Sequence, residues 1–571
     1  MSREDLILIH APSVYDFRRE SIFFGPVSDL VPSTPVFEMY PFGFTTMATQ
    51  LHQDGFRVRI VNLASLMLNN RNLDVEALLK RLDSSVFGLD LHWLPHAQGS
   101  LEIARLLKSM HPDSKILMGG LSASYFHEEL VTYPQVDLVL RGDSTEVPLS
   151  SLMGALETGD DLGRIPNLTW KDRGTRKANP LSFVPENLDY LDIDYGWMIR
   201  SVIRHRDLEG FKPFKDWDRY PLTAVFSVRG CGMNCVVCGG SCSALRGFLS
   251  RERPAFRSPE RLAEDIRNIQ SYLDAPTFVV GDLRQGGKDY ASKFFAEAKR
   301  LRIRNHVVLE IFTPAEEEFY KSASGSLERF SIQFSPDSHE ESVRGALGRA
   351  FDTESMERTV RHALGNGCER FDMFFMIGLP KQTRESALAS ADYTRSLLSK
   401  VGNDSRLAVF MSPLAPFIDP GSRVFENPGE FGYRLFARTL EEHRVRLLNP
   451  SWKYVLSYDT AWMTRDEIAD VSYDAADRLN EIKFETGQID EADFSSRRDR
   501  TEMARAIMKE IDEIVMMPEI EERRKALAGL KANADLLMES TICEKRDLEW
   551  DTPRVYRSVP RAMASLIRKK R

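Results

Sequence analysis

Cys231, Cys235 and Cys238 stand in the run Phe226-Ser-Val-Arg-Gly-Cys-Gly-Met-Asn-Cys-Val-Val-Cys-Gly-Gly240, directly after an apolar stretch that reads as a strand. The spacing C-x3-C-x2-C suits three thiolates on a 4Fe–4S cluster. Three protein ligands on four irons leave one iron open, and an open iron can hold a reactive small molecule. Two plainer chemistries use the same residues. A structural zinc site wants a closed tetrahedron, and Cys242 would supply the fourth sulfur; a closed ferredoxin-like cluster wants four thiolates as well. Disulfides are disfavoured, because the cysteines crowd too closely to act as staples and the start, Met1-Ser-Arg-Glu-Asp-Leu6, carries no signal-peptide pattern. Spacing alone leaves the open cluster, the closed cluster and zinc all standing.

The remaining composition narrows the setting. A chain of 571 residues is long for one domain, so two or three are expected. Its 42% hydrophobic and 28% charged residues are ordinary for a soluble globular protein. A net charge of −8 argues against a general nucleic-acid binder, although the end Leu566-Ile-Arg-Lys-Lys-Arg571 is basic. No run approaches the ~18–20 apolar residues of a membrane span. Four of the six cysteines fall between 231 and 242, a clustering that suits a metal site in a reducing cytoplasm.

Three regions must position these residues. Up to about residue 160, short apolar runs (Leu6–Ile9, Arg57–Val61, Ser85–Leu89, Lys115–Met118, Val136–Leu140) alternate with amphipathic helical windows (Gly43–Asp54, Asp74–Leu82, Gly99–Met110, Glu146–Leu156). That alternation predicts a parallel sheet with helices on both faces, whose ligands bind beyond the carboxyl ends of the strands. The loops there are His10–Tyr15, Asp90-Leu-His-Trp93, Gly119–Ser124 and Arg141-Gly-Asp-Ser144. Residues 161–220 read as an irregular linker. From 221 to 425 strands at Leu222–Val228, Thr277–Val280, His306–Phe312, Arg329–Phe334, Arg370–Ile377 and Arg406–Ser412 alternate with helices, which predicts a partial barrel of six βα units. Chemistry on such barrels sits at the carboxyl ends of the strands, where the cysteine loop falls. After 426 the spacing becomes helical over Phe431–Leu448, Thr464–Ile482, Arg500–Met517 and Glu521–Met538, read as a capping or substrate-binding domain. The basic stretch Arg554–Arg571 reads as a solvated helix end; contact with an anionic membrane surface is the other reading, without further support.

Taken in order, these features resemble the radical S-adenosylmethionine (radical SAM) superfamily, and within it the members with an N-terminal cobalamin-binding domain. The cysteine run follows the first barrel strand, and Gln333-Phe-Ser-Pro-Asp-Ser-His-Glu340 lies in the fourth. Phe374-Phe-Met-Ile-Gly-Leu-Pro380 with Gln382-Thr383 matches the fifth, and Ser412-Pro-Leu-Ala-Pro416 with Pro420-Gly-Ser422 follows the sixth. Gly119-Gly120 and Arg141-Gly-Asp143 fall where the cobalamin domain makes its turns, so the likeness spans roughly residues 5–425. It implies an α/β architecture: a Rossmann-like cobalamin-binding domain over 1–160, a partial (β/α)6 radical SAM barrel over 221–425 and a helical domain over 426–571. It further implies Cys231, Cys235 and Cys238 as metal ligands of a 4Fe–4S cluster. S-adenosylmethionine and cobalamin would be held among His92, Gly119, Gly120, Ser122, Gly142, Asp143, Gly281, Asp282, Glu310, Gln333 and Ser335.

The sequence also departs from the pattern. Val237 stands where an aromatic residue usually precedes the third cysteine, and Val280-Gly281-Asp282 replaces the common Gly-Gly-Glu. The Asp-x-His-x-x-Gly motif of classical cobalamin enzymes is absent after the first strand, and Asp90-x-His92 follows the third, so the resemblance implies cobalamin without a protein histidine on cobalt. His92 and Trp93 would line the lower corrin face. Arg229 would tune the cluster or, more plainly, bond to carbonyls; Cys242 reads as a free thiol near the cluster, and Cys368 and Cys543 as packing residues.

The implied activity is methylation of an unactivated carbon of a small-molecule or lipid substrate, in the cytoplasm, with electrons from a flavodoxin or ferredoxin and no nucleic-acid partner. A non-methylating rearrangement or cyclisation on the same cofactors is the alternative. A non-catalytic metal-binding protein is the third reading.

Overall fold

Two parallel sheets, built by successive βα units, face each other with their strand ends. The computed structural model describes residues 3–20, 22–23, 42–537, 547, 550 and 552–568. Cys543 and the last three residues of the basic tail lie outside the described residues. The first sheet contains β1 (Glu4–His10), β2 (Val58–Asn62), β3 (Ser84–Asp90), β4 (Lys115–Gly119) and β5 (Leu138–Leu140), all parallel, in the order β2-β1-β3-β4-β5. In β1 the run Leu6-Ile7-Leu8-Ile9 is buried throughout, as a parallel strand covered on both faces requires. Phe44, Leu51, Leu149 and Leu152 pack on one face and Ile103, Leu107 and Leu63 on the other.

Two antiparallel strands, β6 (Leu168–Asp172) and β7 (Thr175–Ala178), extend this sheet into the stretch expected to be linker. The turn between them puts Arg173 at φ 49° and Gly174 at φ 83°. Two consecutive positive φ values match the right-handed twist of a tight hairpin, and the glycine makes that affordable. Irregular chain follows, interrupted by the helix Tyr195–His205 that Asp194 caps by accepting from the Trp197 amide.

The second sheet holds β8 (Thr223–Phe226), β11 (Thr277–Val280), β12 (Val307–Ile311), β13 (Phe330–Asp337), β14 (Phe371–Ile377) and β15 (Leu407–Pro413), parallel and in that order. A two-stranded ribbon of β9 (Val228–Arg229) and β10 (Ala255–Phe256) stands beside the first of them. β8 and β15 are the unpaired edges, so the barrel is partial, as expected from six units. Ser258, Thr383 and Asp352 each cap the helix that follows by accepting an amide hydrogen bond.

The C-terminal region is helical over Arg465–Glu485, Glu491–Val515 and Ile520–Leu536, with the first helix against Arg384–Lys400 and β15. The helix expected over 431–448 is instead a strand, β16 (Tyr433–Leu435), paired antiparallel with β17 (Tyr458–Thr460), and a short helix at Leu440–Arg446. The reason is local: Gly432 adopts φ 72° and breaks the helical run, while the Tyr433 hydroxyl donates to the Gly378 carbonyl at 2.7 Å. The helix Val559–Arg568 returns to the barrel, where the Ser565 hydroxyl donates to the Ser271 carbonyl at 2.6 Å. Among the described residues no helix is long and apolar enough to cross a membrane.

Candidate active site between the two sheets

The carboxyl ends of both sheets open into one cavity of about 610 Å³. The first sheet contributes Asp90, His92, Gly119, Gly120, Gly142 and Asp143. The barrel contributes Cys231, Cys235, Cys238, Gly281, Glu310 and Arg349. An apolar arm of the same cavity runs over the first sheet, beneath Phe44, Met47 and Leu149. Its floor is a row in register, Leu8 beside Gly88 beside Leu117. Gly88 has no side chain, and Leu8 leans over it: a Cβ there would stand 2.9 Å from Leu8 Cδ2.

The cysteine loop is fixed by its backbone. The Val236 amide donates to the Leu347 carbonyl and the Val236 carbonyl accepts from the Val424 amide, both at 2.9 Å. The Cys231 sulfur accepts from the Met233 amide at 3.3 Å and the Cys238 sulfur from the Gly240 amide at 3.3 Å. Burial pushes the Cys238 thiol up to about 12, and it raises Cys231 as well. Such thiols become thiolates only when a cation sits among them. Arg349 supplies one charge: it pairs with Asp337 at 2.9 Å, donates to the Phe312 and Ser335 carbonyls at 3.1 and 2.7 Å, and approaches the Cys235 sulfur. Cys242, at the start of the helix Cys242–Leu249, is absent from the cavity lining, and all five described cysteines are free thiols. Three sulfurs, and not four, converge on the cavity.

Burial pushes the Glu310 carboxyl up to about 7, against the pull of the Gly281 amide that donates to it at 2.9 Å; charge on Asp282 adds to the push. Glu310 therefore stands ready to accept a cationic or hydrogen-bonding ligand group. Asp282, expected beside it as a cofactor contact, lies outside the cavity lining. Its carboxylate accepts from the Arg284 side chain, from the Arg284 amide at 3.0 Å and from the Phe312 amide at 2.9 Å, so it ties β11 to the loop after β12. Gln333 and Ser335 line neither described cavity; the Gln333 amide donates to Asp372 at 3.4 Å.

Gly120 has a role the sequence reading did not assign. Gly120 adopts φ 114°, and a Cβ there would stand 2.5 Å from both Cα and N of His92. The glycine is needed to admit the 91–93 loop. Ser122 and Trp93 line a second, smaller cavity of about 240 Å³ that shares His92. The Trp93 indole N–H donates to Asp419 at 3.1 Å, and the Gly239 amide donates to the other Asp419 oxygen at 3.0 Å. Asp419 thus clamps the first domain and the cysteine loop to the end of the barrel.

Arg229, expected to bond carbonyls or tune a cluster, instead makes a bidentate pair with Glu146 of the first domain at 2.5 and 2.9 Å. Burial opposes the charge on each, but the partner outweighs it: Glu146 is held below, and Arg229 above, its ordinary pKa. Asp143 is similarly bound by Arg251, at 2.7 Å from Nη2. Neither Glu146 nor Asp419 nor Arg349 was singled out in the sequence; the partners of the first two lie far along the chain, and Arg349 pairs with Asp337 across one intervening helix.

The architecture and the cavity fit the groups that the sequence implied. Three converging sulfurs match an iron cluster with an open iron, and the space beyond them, with an apolar arm, matches a large planar ligand. Residues 30–149 match the B12 binding domain family. That domain, and the three-cysteine loop at the mouth of a six-stranded parallel barrel beside it, are the parts that the resemblance to B12-binding radical SAM proteins called for. Among solved structures it is similar to the radical S-adenosylmethionine methyltransferase TsrM from Kitasatospora setae with cobalamin and a [4Fe-4S] cluster bound. That likeness has a TM-score of 0.59 at 15% identity, over 93% of this chain and 100% of that one. The cobalamin-dependent S-adenosylmethionine radical enzyme OxsB, with aqua-cobalamin and S-adenosylmethionine bound, gives a TM-score of 0.52 at 12% identity, over 100% of this chain and 80% of that one. By sequence the chain is 23% identical over 402 residues to an uncharacterized methyltransferase of Pyrococcus horikoshii, covering 68% of this chain and 78% of that protein. It is 24% identical over 259 residues to the hopanoid C-3 methylase of Methylococcus capsulatus, covering 44% of each.

Proposed function

We propose that the protein is a cobalamin-dependent radical SAM methyltransferase acting on an unactivated carbon of a small molecule. The observation that carries this reading is the single cavity: the strand ends of a B12 binding fold and three cluster-type cysteines line the same space. When bound, the cluster with S-adenosylmethionine supplies a hydrogen-abstracting radical and cobalamin supplies a methyl carrier. Cys231, Cys235 and Cys238 hold the cluster, leaving one iron open. Glu310 and the backbone at Gly281 receive polar groups of S-adenosylmethionine, and Gly119, Gly142 and His92 face the corrin. The apolar arm takes the cofactor's aromatic base. Buried ties at Arg229–Glu146 and Trp93–Asp419 keep the two halves in register and water out, and orientation of this kind is the protein's main catalytic contribution. One relative is named a methyltransferase and another a methylase, over 402 and 259 residues, against a relative named a cyclase over 162 residues, and the longer matches favour methylation. Electron supply from a flavodoxin or ferredoxin and a cytoplasmic location belong to the same proposal.

The test is anaerobic protein given dithionite and S-adenosylmethionine. Formation of 5′-deoxyadenosine that disappears in Cys235→Ala supports the radical reading. A colourless zinc protein, or a cluster that leaves S-adenosylmethionine intact, overturns it.

A further inference from the structure

At the switch point of the first sheet, where β1 borders both β2 and β3, three histidines surround one buried carboxylate. His10 ends β1 and its Nδ1 lies 3.0 and 3.1 Å from the two oxygens of Asp90, which ends β3. His92 Nδ1 lies 2.7 Å from Asp90 Oδ2. His96 lies tilted beside both, with ring centroids 4.8 Å from His10 and 5.0 Å from His92, and its Nδ1 donates to the Ala11 carbonyl. The crevice at a switch point is where ligands of such sheets bind.

The chemistry of the cluster is directional. A carboxylate only accepts, so each imidazole donates from Nδ1, and that fixes the tautomer of both. The ring nitrogen Nε2 of His92 is then a free lone pair. Its side chain is 29% exposed, whereas Asp90 and His10 are 3% and 0% exposed, so His92 alone of the three reaches far into the cavity. An imidazole backed by a carboxylate at Nδ1 and open at Nε2 is the usual arrangement of a metal-ligating histidine. The ligand atoms of His10, Asp90 and His92 come within 4.8 Å of one another, but both Asp90 oxygens are occupied by N–H donors, so a cation among the three is less well served than one beyond His92.

We propose that His92 is an axial ligand of cobalt, coordinating through Nε2, with Asp90 and His10 as positioning residues behind it. This rests on the proposed cobalamin binding and departs from the expectation of cobalt without a protein histidine. The apolar arm gives the cofactor's own base a place away from the metal, which leaves that axial position to the protein. Gly120 serves the same end, since only a residue without Cβ lets the His92 backbone lie where it does.

The test is paramagnetic resonance of the holoenzyme in its Co(II) state, with the iron cluster kept diamagnetic, prepared from cells fed either ordinary or ¹⁵N-labelled histidine. Each cobalt line is expected to be split into three by ordinary histidine and into two by the labelled form. His92→Ala should abolish the splitting and added imidazole restore it, while Asp90→Ala weakens corrinoid retention roughly 10–100-fold. A triplet that persists in the labelled protein assigns the cofactor's own base and overturns the proposal, as does a spectrum without nitrogen splitting. The labelling leaves the sequence unchanged, so the result does not depend on a variant folding. Protein that retains no corrinoid overturns the proposed function along with this inference; protein that retains it without histidine splitting overturns this inference alone.

Discussion

Removing either half of the Arg229–Glu146 pair should loosen the two domains by a measurable factor. The side chains are 8% and 2% exposed, so deleting one partner strands the other charge in a poorly solvated site, at a cost of roughly 3–5 kcal/mol. At about 1.4 kcal/mol per tenfold, the open form becomes roughly a hundredfold to several thousandfold more populated. Replacing both by apolar residues of similar volume, Arg229→Met with Glu146→Leu, should restore most of the loss, because a buried pair is often near neutral against packed hydrophobics. The Thr46 hydroxyl, which donates to Glu146 at 2.6 Å, still has the Gly43 carbonyl at 3.0 Å. Native-state proteolysis between 179 and 220 reports the open population when reclosing is fast. Both single variants should be cut faster by that factor, and the double variant within about tenfold of the parent. Singles that rise less than about fivefold, or a double that costs the sum of the singles, would refute the reasoning. Because Glu146 titrates below its unfolded value, its contribution is complete above the ordinary glutamate range and is lost only as pH falls through the lower folded value. Protection should therefore hold at neutral pH and fail in acid.

Cys231→Ala, Cys235→Ala and Cys238→Ala should each lose cluster iron by elemental analysis, whereas Cys242→Ala should retain it, since Cys242 does not line the cavity. Gly120→Ala should reduce corrinoid retention without lowering iron content, because the added Cβ collides with the His92 backbone and not with the cysteine loop. Glu310 is shifted up to about 7 by burial. Its folded pKa lies above the unfolded one, so the fold loses stability as pH rises from the ordinary glutamate range through about 7. In Glu310→Gln that fall should vanish from a pH series of thermal denaturation; an unchanged series contradicts the assignment.

Much of the fold is legible in the sequence because strand and helix periods are local. Leu6–Ile9 and Phe371–Ile377 announce buried strands by runs of apolar residues, and the order of βα units fixes the two parallel sheets. The hairpin at 168–178 escaped that reading because its outer strand, Thr175-Arg-Lys-Ala178, is fully exposed and carries no apolar face; its Arg173-Gly174 turn was the available signal. The three-cysteine loop is legible because its spacing is local. The pairs Arg229–Glu146, Arg349–Asp337 and Trp93–Asp419 join separate elements, two of them across the domain boundary, and no period encodes such contacts. The surroundings of Asp282 were hidden for a related reason: its position at a strand end suggests a ligand contact, while in the structure its carboxylate accepts from Arg284 and from the Phe312 amide. His10 and Asp90 stood at recognisable strand ends, yet their contact follows only from the β1–β3 pairing.

The central claim is that one cavity serves both cofactors for methyl transfer. The most direct measurement is mass spectrometry of the corrinoid extracted from anaerobic, reduced holoenzyme after incubation with CD3-labelled S-adenosylmethionine, which requires no knowledge of the final substrate. The account predicts label in the corrinoid together with S-adenosylhomocysteine, and the loss of both in protein loaded with cluster but not cobalamin. Corrinoid that stays unlabelled while 5′-deoxyadenosine accumulates would contradict methyl transfer and leave a non-methylating radical reaction in its place.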